Sequence, residues 1–353
     1  MEAIADNVSK EWDRTLGNLG HNLAGRLQPL ALADLPTPVE RLAGVGEMTG
    51  NASLFIKRDD LSSRLYGGNK VRKLEFLLGK ARREGSRTLV TVGGIGSNHL
   101  LATALHARAK GMRTVGVVFP QPENENVRRN LAADRAAGVE LVQIPSKYSL
   151  PLYVAVTLAR LRIEEGRLPE LIPGGGSSPL GALGFVNAGL ELGEQVRAGE
   201  LPEPEAVFLP YGTGGTVTGL ALGLGLGGLG TRVVAVRVID ALIANRPRMM
   251  LLVRRICGLL KSLGVAIPAR AGRNIEMLHT YFGPGYGHPT PEAERARDTF
   301  EREDEIALEL TYTAKAAAAF LDRARAGGGP LLFWNTYSSA DIGDWVAAGE
   351  SMA

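Results

Sequence analysis

Residues 88 to 99 read Thr88-Leu89-Val90-Thr91-Val92-Gly93-Gly94-Ile95-Gly96-Ser97-Asn98-His99. A β-branched run passes through glycines into a Ser-Asn pair suited to the start of a helix. The same alternation recurs in both directions along the chain. Strands are expected at 88–92, 113–119, 140–144, 206–210, 232–239 and 330–334, and helices at about 70–83, 98–109, 125–137, 183–198 and 313–325. Gly85, Gly111, Gly138 and Gly327 fall where helices stop, since glycine accepts the left-handed conformation of that position without steric cost. Strands alternating with helices are the signature of parallel strands joined by crossovers, so the fold class is α/β.

At 353 residues the chain exceeds what one hydrophobic core usually supports, which predicts two domains. Three strand-helix units between 88 and 171 suggest a small domain over 85–185, with 1–84 and 186–353 forming a larger one. The composition, 45% hydrophobic and 22% charged, excludes a disordered or fibrous chain. A net charge of +3, with arginines scattered among acids, argues against nucleic acid as a partner. One cysteine, Cys257, excludes a disulfide framework and a cysteine-based metal site, so no metal is expected and a reducing cytoplasm fits. Residues 1–10 lack the basic start and apolar core of an export signal. The uncharged stretch 206–231 is broken by Pro210 and many glycines; it reads as a buried strand and a tightly packed helix, not a membrane span.

Four motifs carry chemistry. Gly67-Gly68-Asn69-Lys70 opens a helix whose Val71, Leu74, Leu77 and Leu78 recur at helical spacing. Lys70 would meet the positive end of the helix dipole, which disfavours its ammonium and favours the neutral amine that a Schiff base requires. Alone, such a lysine reads more readily as a solvated side chain after a turn, and Lys73 and Lys80 compete with it. The turn from Gly93 to His99 departs from the dinucleotide fingerprint, because its last glycine would fall on His99. That turn could hold a carboxylate on helix N–H groups, with Ser97 and Asn98 facing a cofactor, or Ser97 could simply cap the helix. Gly212-Thr213-Gly214-Gly215-Thr216 follows a strand and makes a phosphate nest without the lysine of a nucleotide-triphosphate loop. Gly283-Pro284-Gly285-Tyr286-Gly287 and Tyr312-Thr313-Ala314-Lys315 could present phenols to a reacting centre, or merely pack them.

In order and spacing these motifs resemble the family of D-cysteine desulfhydrase and 1-aminocyclopropane-1-carboxylate deaminase. The likeness extends to Pro36-Thr37-Pro38, Ile56-Lys57-Arg58-Asp59-Asp60 and the segment from Gly175-Gly176-Ser177-Ser178-Pro179 to Phe185. The resemblance implies the two-domain fold of tryptophan synthase β, with the larger domain binding the cofactor, pyridoxal 5'-phosphate, and it implies a homodimer. It also implies that Lys70 carries the cofactor as a Schiff base beside Asn69. Asn98 would contact the pyridine hydroxyl, residues 212–216 would hold the phosphate, and Thr313 would meet the pyridine nitrogen. Ser97, Asn98, His99 and Tyr286 would face a small amino-acid substrate, with Lys70, Ser97, Tyr286 and Tyr312 catalytic.

A hydroxyl rather than an acid at the pyridine nitrogen implies a weaker electron sink. Expulsion of a stable anion such as sulfide tolerates that sink better than cyclopropane opening does. The expected activity is therefore β-elimination to pyruvate and ammonia. Ring-opening deamination, β-replacement of the cysteine synthase kind and a catalytically silent cofactor carrier are the alternatives. Two departures from the family pattern bear on the substrate. Asn335-Thr336-Tyr337-Ser338 stands where His-Thr-Gly-Gly is usual, and Leu101-Ala102 stands where Arg-Gln is usual. Tyr337 in place of glycine is expected to narrow any cavity there.

Overall fold

A computed structural model describes residues 26–352; the segment 1–10 lies outside them. In chain order the elements are β1 (Val39–Arg41), α1 (Ala43–Thr49), β2 (Leu54–Lys57), α2 (Asn69–Arg83), β3 (Thr88–Gly94), α3 (Asn98–Ala109), β4 (Arg113–Phe119), α4 (Glu125–Ala136), β5 (Glu140–Gln143) and α5 (Leu150–Glu165). They continue with β6 (Glu170–Ile172), α6 (Pro179–Arg197), β7 (Ala206–Tyr211), α7 (Gly215–Leu226), β8 (Arg232–Arg237), α8 (Arg246–Ser262), β9 (Ile275–Leu278), α9 (Pro291–Asp304), α10 (Thr313–Arg325), β10 (Leu331–Trp334) and α11 (Gly343–Glu350).

The strands form two sheets, one in the order β1-β2-β10-β7-β8-β9 and one in the order β5-β4-β3-β6. Every pairing is parallel except β1 with β2. Parallel sheets need both faces covered, which is why their strands read as continuous apolar runs. In the six-stranded sheet α6, α7 and α8 pack Phe185, Leu220, Val253 and Ile256 on one face. The alanine-rich α10 and Phe300, Phe320 and Phe333 cover the other. In the smaller sheet Val90, Val115 and Val117 pack against Ile144 and Leu161.

All six expected strands are present, with ends shifted by at most two residues. The expected helix 183–198 starts earlier, at Pro179, because Ser178 accepts the Gly181 N–H as its cap and proline suits the first turn. The glycine-rich stretch is helical over α7, and its Gly219 and Gly223 face α6. A Cβ at Gly219 would meet the Ala182 carbonyl oxygen at 2.3 Å, and one at Gly223 would meet that of Val186 at 2.2 Å. Glycine is required there because the two helix backbones touch.

Beneath α2 lies a buried charge network. Arg72 donates to Asp59 and Glu191, and the Lys57 ammonium donates to Glu191 and Gln195, each at 2.5 Å. Against the cost of burial, the Arg72 and Lys57 charges pull the Glu191 carboxyl down to about 2. The network ties α2 to β2 and α6, so the helix that carries Lys70 is held from below.

Candidate active site

A cavity of about 570 Å³ opens at the carboxyl ends of β3, β4, β7 and β8, the edge at which open parallel sheets bind ligands. Lys70, Asn69, Ser97, Asn98, His99, Tyr286 and Tyr312 all line it, as do Gly212, Thr213, Gly214 and Thr216. Residues dispersed over more than two hundred positions thus meet in one place. Gly215 and Thr313 do not form part of its wall.

Lys70 occupies the first turn of α2. Gly68 enters that turn with φ of 81°, and a Cβ there would meet the Thr336 and Tyr337 carbonyl oxygens at 2.7 Å. The Asn69 N–H donates to the Thr336 carbonyl, and the Gly67 N–H to Ser338 Oγ. The loop after β10 therefore clamps the start of α2. Asn69 Oδ1 accepts from Lys70 Nζ at 2.6 Å while its Nδ2 donates to Thr216 Oγ1 at 2.9 Å. Burial pushes the Lys70 amine down to about 8, an effect that the negative charge of Glu309 partly offsets.

Lys73 lines the same cavity, although the sequence placed it as a competitor. Its ammonium donates to the Gly175 carbonyl at 3.0 Å, and burial, with Lys70 nearby, lowers its pKa well below that of an ordinary lysine. Lys80 pairs with Glu170 and Glu84 away from the cavity.

Ser97 Oγ caps α3 by accepting the Leu100 N–H, and the residue also lines the cavity. Asn98 Oδ1 accepts from Asn126, Asn130 and Tyr66. His99 pairs with Thr91 Oγ1 at 3.0 Å. Burial and the nearby Lys70 and Lys73 charges keep its imidazole neutral.

The Gly212 to Thr216 loop forms a cradle at the start of α7. Gly214 has φ of 99°, and the Gly215 N–H donates to Ser177 Oγ, which also bonds Thr213 Oγ1 at 2.6 Å. The other first-turn N–H groups have no acceptor within their own helix. A Cβ at Gly215 would meet Ser177 Oγ at 2.7 Å, so only glycine lets Ser177 approach. A phosphate fits this donor set, and a primary amine poised near neutrality in the same cavity fits an aldehyde. The residues therefore suit pyridoxal phosphate.

Tyr286 and Tyr312 bond through their hydroxyls at 2.5 Å, with ring planes inclined at 67°. Burial drives the Tyr286 phenol up to about 12 and the Tyr312 phenol well above the ordinary value, so both stay protonated.

Thr313, expected to meet the pyridine nitrogen, is not among the residues that line the cavity. It is fully buried, and its hydroxyl accepts the Glu309 N–H at 2.9 Å and lies 3.2 Å from the Glu309 carbonyl oxygen. The reason is local. Glu309 caps α10 by accepting the N–H groups of Thr311, Tyr312 and Thr313, and this turns Thr313 inward. Glu309 itself reaches the cavity, and burial raises its pKa against those three N–H groups.

Sequence reasoning passed over Ser177, Glu309 and Tyr66 as site residues. Ser177 had a signal in its Gly-Gly-Ser-Ser-Pro context, and Glu309 had one as an acid four residues before the helix start. Tyr66 had none. Tyr337 lines the cavity as expected, and its hydroxyl donates to Asn126 Oδ1 at 3.0 Å.

Comparison with known proteins agrees with this geometry. The family model described as pyridoxal-phosphate dependent enzyme matches residues 30–334. Nocardicin C-9' epimerase of Nocardia uniformis is 36% identical over 91% of this chain and 95% of its own. D-cysteine desulfhydrase of Salmonella schwarzengrund is 33% identical over 90% and 95%. The crystal structure of an ACC deaminase homologue superposes with a TM-score of 0.79 at 28% identity, covering 96% of this chain and 99% of that one. The cradle, the poised amine and these likenesses agree, and the chain belongs to the pyridoxal-phosphate dependent enzymes with the tryptophan synthase β fold.

Proposed function

We propose that this enzyme is a lyase that removes the α-proton of an amino acid and expels its β-substituent, in the manner of a D-cysteine desulfhydrase. The products are pyruvate, ammonia and the leaving group. One observation carries the reading: a partly buried lysine with its pKa lowered to about 8 shares a cavity with two hydrogen-bonded phenols held in the protonated state. Elimination needs both a base at the α-carbon and an acid for the departing group.

When bound, pyridoxal phosphate supplies an electron sink for the α-carbon. Residues Gly212 to Thr216 would hold its phosphate, Asn69 and Asn98 would flank it, and Lys70 would take its aldehyde. Ser97 and the first-turn N–H groups of α3 would hold the substrate carboxylate, with neutral His99 packed behind them. Lys70 takes the α-proton, and the Tyr286–Tyr312 pair hands one to the leaving group. Elimination is preferred to ring opening because Glu309, the buried acid of the cavity, is already committed to three backbone N–H groups.

A second reading is favoured by the relative that is named an epimerase. Removal of the α-proton and its return on the opposite face would use the same lysine and tyrosines. The deciding experiment incubates the holoenzyme in deuterated water with D- and L-cysteine, β-chloroalanine, cysteate and the cyclopropane amino acid. Pyruvate and ammonia support elimination; an inverted, α-deuterated amino acid without pyruvate supports epimerisation. A new thioether on adding thiol would mark β-replacement, and inactivity towards every compound would mark a silent carrier.

The chain is further proposed to work in the cytoplasm as a homodimer of two-domain subunits, with 85–185 as the small domain. Its single cysteine supports the compartment. The exposed Leu152, Val156 and Ile163 of α5 support an interface.

A further inference from the structure

The chemistry described above occupies only part of the cavity. Ser97 follows β3, the phosphate cradle follows β7, and the tyrosines enter from the loops before α9 and α10. The wall continues past them in two directions. In the small sheet β3, β4 and β5 are successive neighbours, and the registers Gly94 to Phe119 and Val118 to Gln143 set their carboxyl ends level. Strands lie ~4.8 Å apart, so the segment after β5 sits roughly 10 Å across from the Ser97 turn. In the large sheet the register Tyr211 to Arg237 sets the end of β8 beside the phosphate cradle.

These two outlying ends face each other. Lys147, just after β5, and Asp240, just after β8, form an ion pair at 2.6 Å, and both line the cavity. Between that pair and the lysine end the walls are largely apolar, with the polar Gln121 and Ser146 among them. Pro120, Pro122, Pro145 and Leu150 line one side, and Ile239 and Ile243 the other. Ile243 remains exposed on this wall. An entrance for a small zwitterion gains nothing from such a lining, whereas an apolar wall converging on a few polar groups is the usual build of a ligand site.

We infer that the substrate's side chain continues past the β-carbon as an apolar, aryl-sized group, which lies along this arm towards the Lys147–Asp240 pair. Such a substrate presupposes the α-proton chemistry proposed above and narrows it to bulky amino acids.

The test compares S-benzylcysteine with cysteine, in both hands, on the holoenzyme. S-Benzylcysteine and water would give pyruvate, ammonia and benzyl thiol, so both substrates are read by the same product. The expected kcat/KM favours the benzyl compound by about tenfold or more. Ile243→Trp and, on the opposite wall, Leu150→Trp fill the arm, and each should lower the benzyl-to-cysteine ratio by about tenfold. If one variant fails to fold, the other reads the same wall. Calorimetry adds a measurement independent of turnover: phenylalanine should bind the holoenzyme about tenfold more tightly than alanine, and that preference should vanish in the folded tryptophan variant. Equal affinities for the two, or a preference unchanged in a folded variant, would overturn the inference. Absence of pyruvate from β-chloroalanine with the phenylalanine preference intact would instead overturn the lyase reading alone.

Discussion

The hydroxyls of Tyr286 and Tyr312 lie 2.5 Å apart, although the residues are 26 positions apart and enter the cavity from different loops. The hydrogen bond couples the two phenols, which on the proposed mechanism act as one acid. Tyr286→Phe and Tyr312→Phe should each lower kcat on β-chloroalanine by about 10² to 10⁴. The double variant should fall little further, because groups acting as a unit are not additive. Losses that multiply in steady-state kinetics would show two independent roles.

Lys70 ties stability to pH in the cofactor-free protein. Its folded pKa is about 8 against 10.5 for an ordinary lysine, so below pH 8 the folded state holds a charge that burial disfavours. Between those values the unfolded chain binds more protons, and stability rises with pH. Lys70→Met should therefore stabilise the cofactor-free protein at pH 7, by up to about 3 kcal/mol. That gain should fade towards pH 10.5, as measured by urea unfolding across the range.

Lys70 and Lys73 both have depressed pKa values, yet Lys73 is buried and engaged by the Gly175 carbonyl. Borohydride reduction of the cofactor-loaded protein followed by peptide mapping should label Lys70. Lys73→Ala should keep that label, and Lys70→Ala should lose it together with turnover while remaining folded. The opposite pattern would show that Lys73 is the attachment point.

Arg72 answers two buried carboxylates at once. Arg72→Met would leave Asp59 and Glu191 facing only Lys57 and neutral partners, and should cost about 3 to 5 kcal/mol in denaturant unfolding. A loss below about 1 kcal/mol would mean that the network relaxes around the gap.

Tyr337 bonds Asn126 from the loop after β10 to the start of α4, joining the two sheets across the cavity. Tyr337→Phe should lower the melting temperature by an amount equivalent to about 1 kcal/mol. It should also speed hydrogen exchange in α4 relative to α10. Uniform exchange through both helices would show no local latch.

The periodicities that name an element were legible wherever an element was long and its pattern clean. The six expected strands and the helices that follow most of them illustrate this. Strands β1, β2, β6 and β9 escaped because three or four residues such as Glu170–Ile172 carry no period. Helix α5 escaped because its many apolar residues face outward, with only Thr157 and Leu161 buried. At the site, Lys70, Ser97, Asn98, the Gly212 to Thr216 loop and both tyrosines were readable as motifs. Glu309 was not, and the hydrogen bonds that Thr313 makes to the Glu309 backbone were not legible either.

From the chain of residues alone came the α/β class, the glycine turns that open two helices onto ligands, and the lysine placed at one of those openings. These follow from local rules: side-chain period, capping chemistry and the conformational freedom of glycine. Strand order was decided only in three dimensions. Because β10 inserts between β2 and β7, residues 335–338 come to lie on the start of α2, some 270 positions earlier, and this contact shapes the cavity around Lys70. No local pattern encodes which strands become neighbours; that choice belongs to the packing of the whole core.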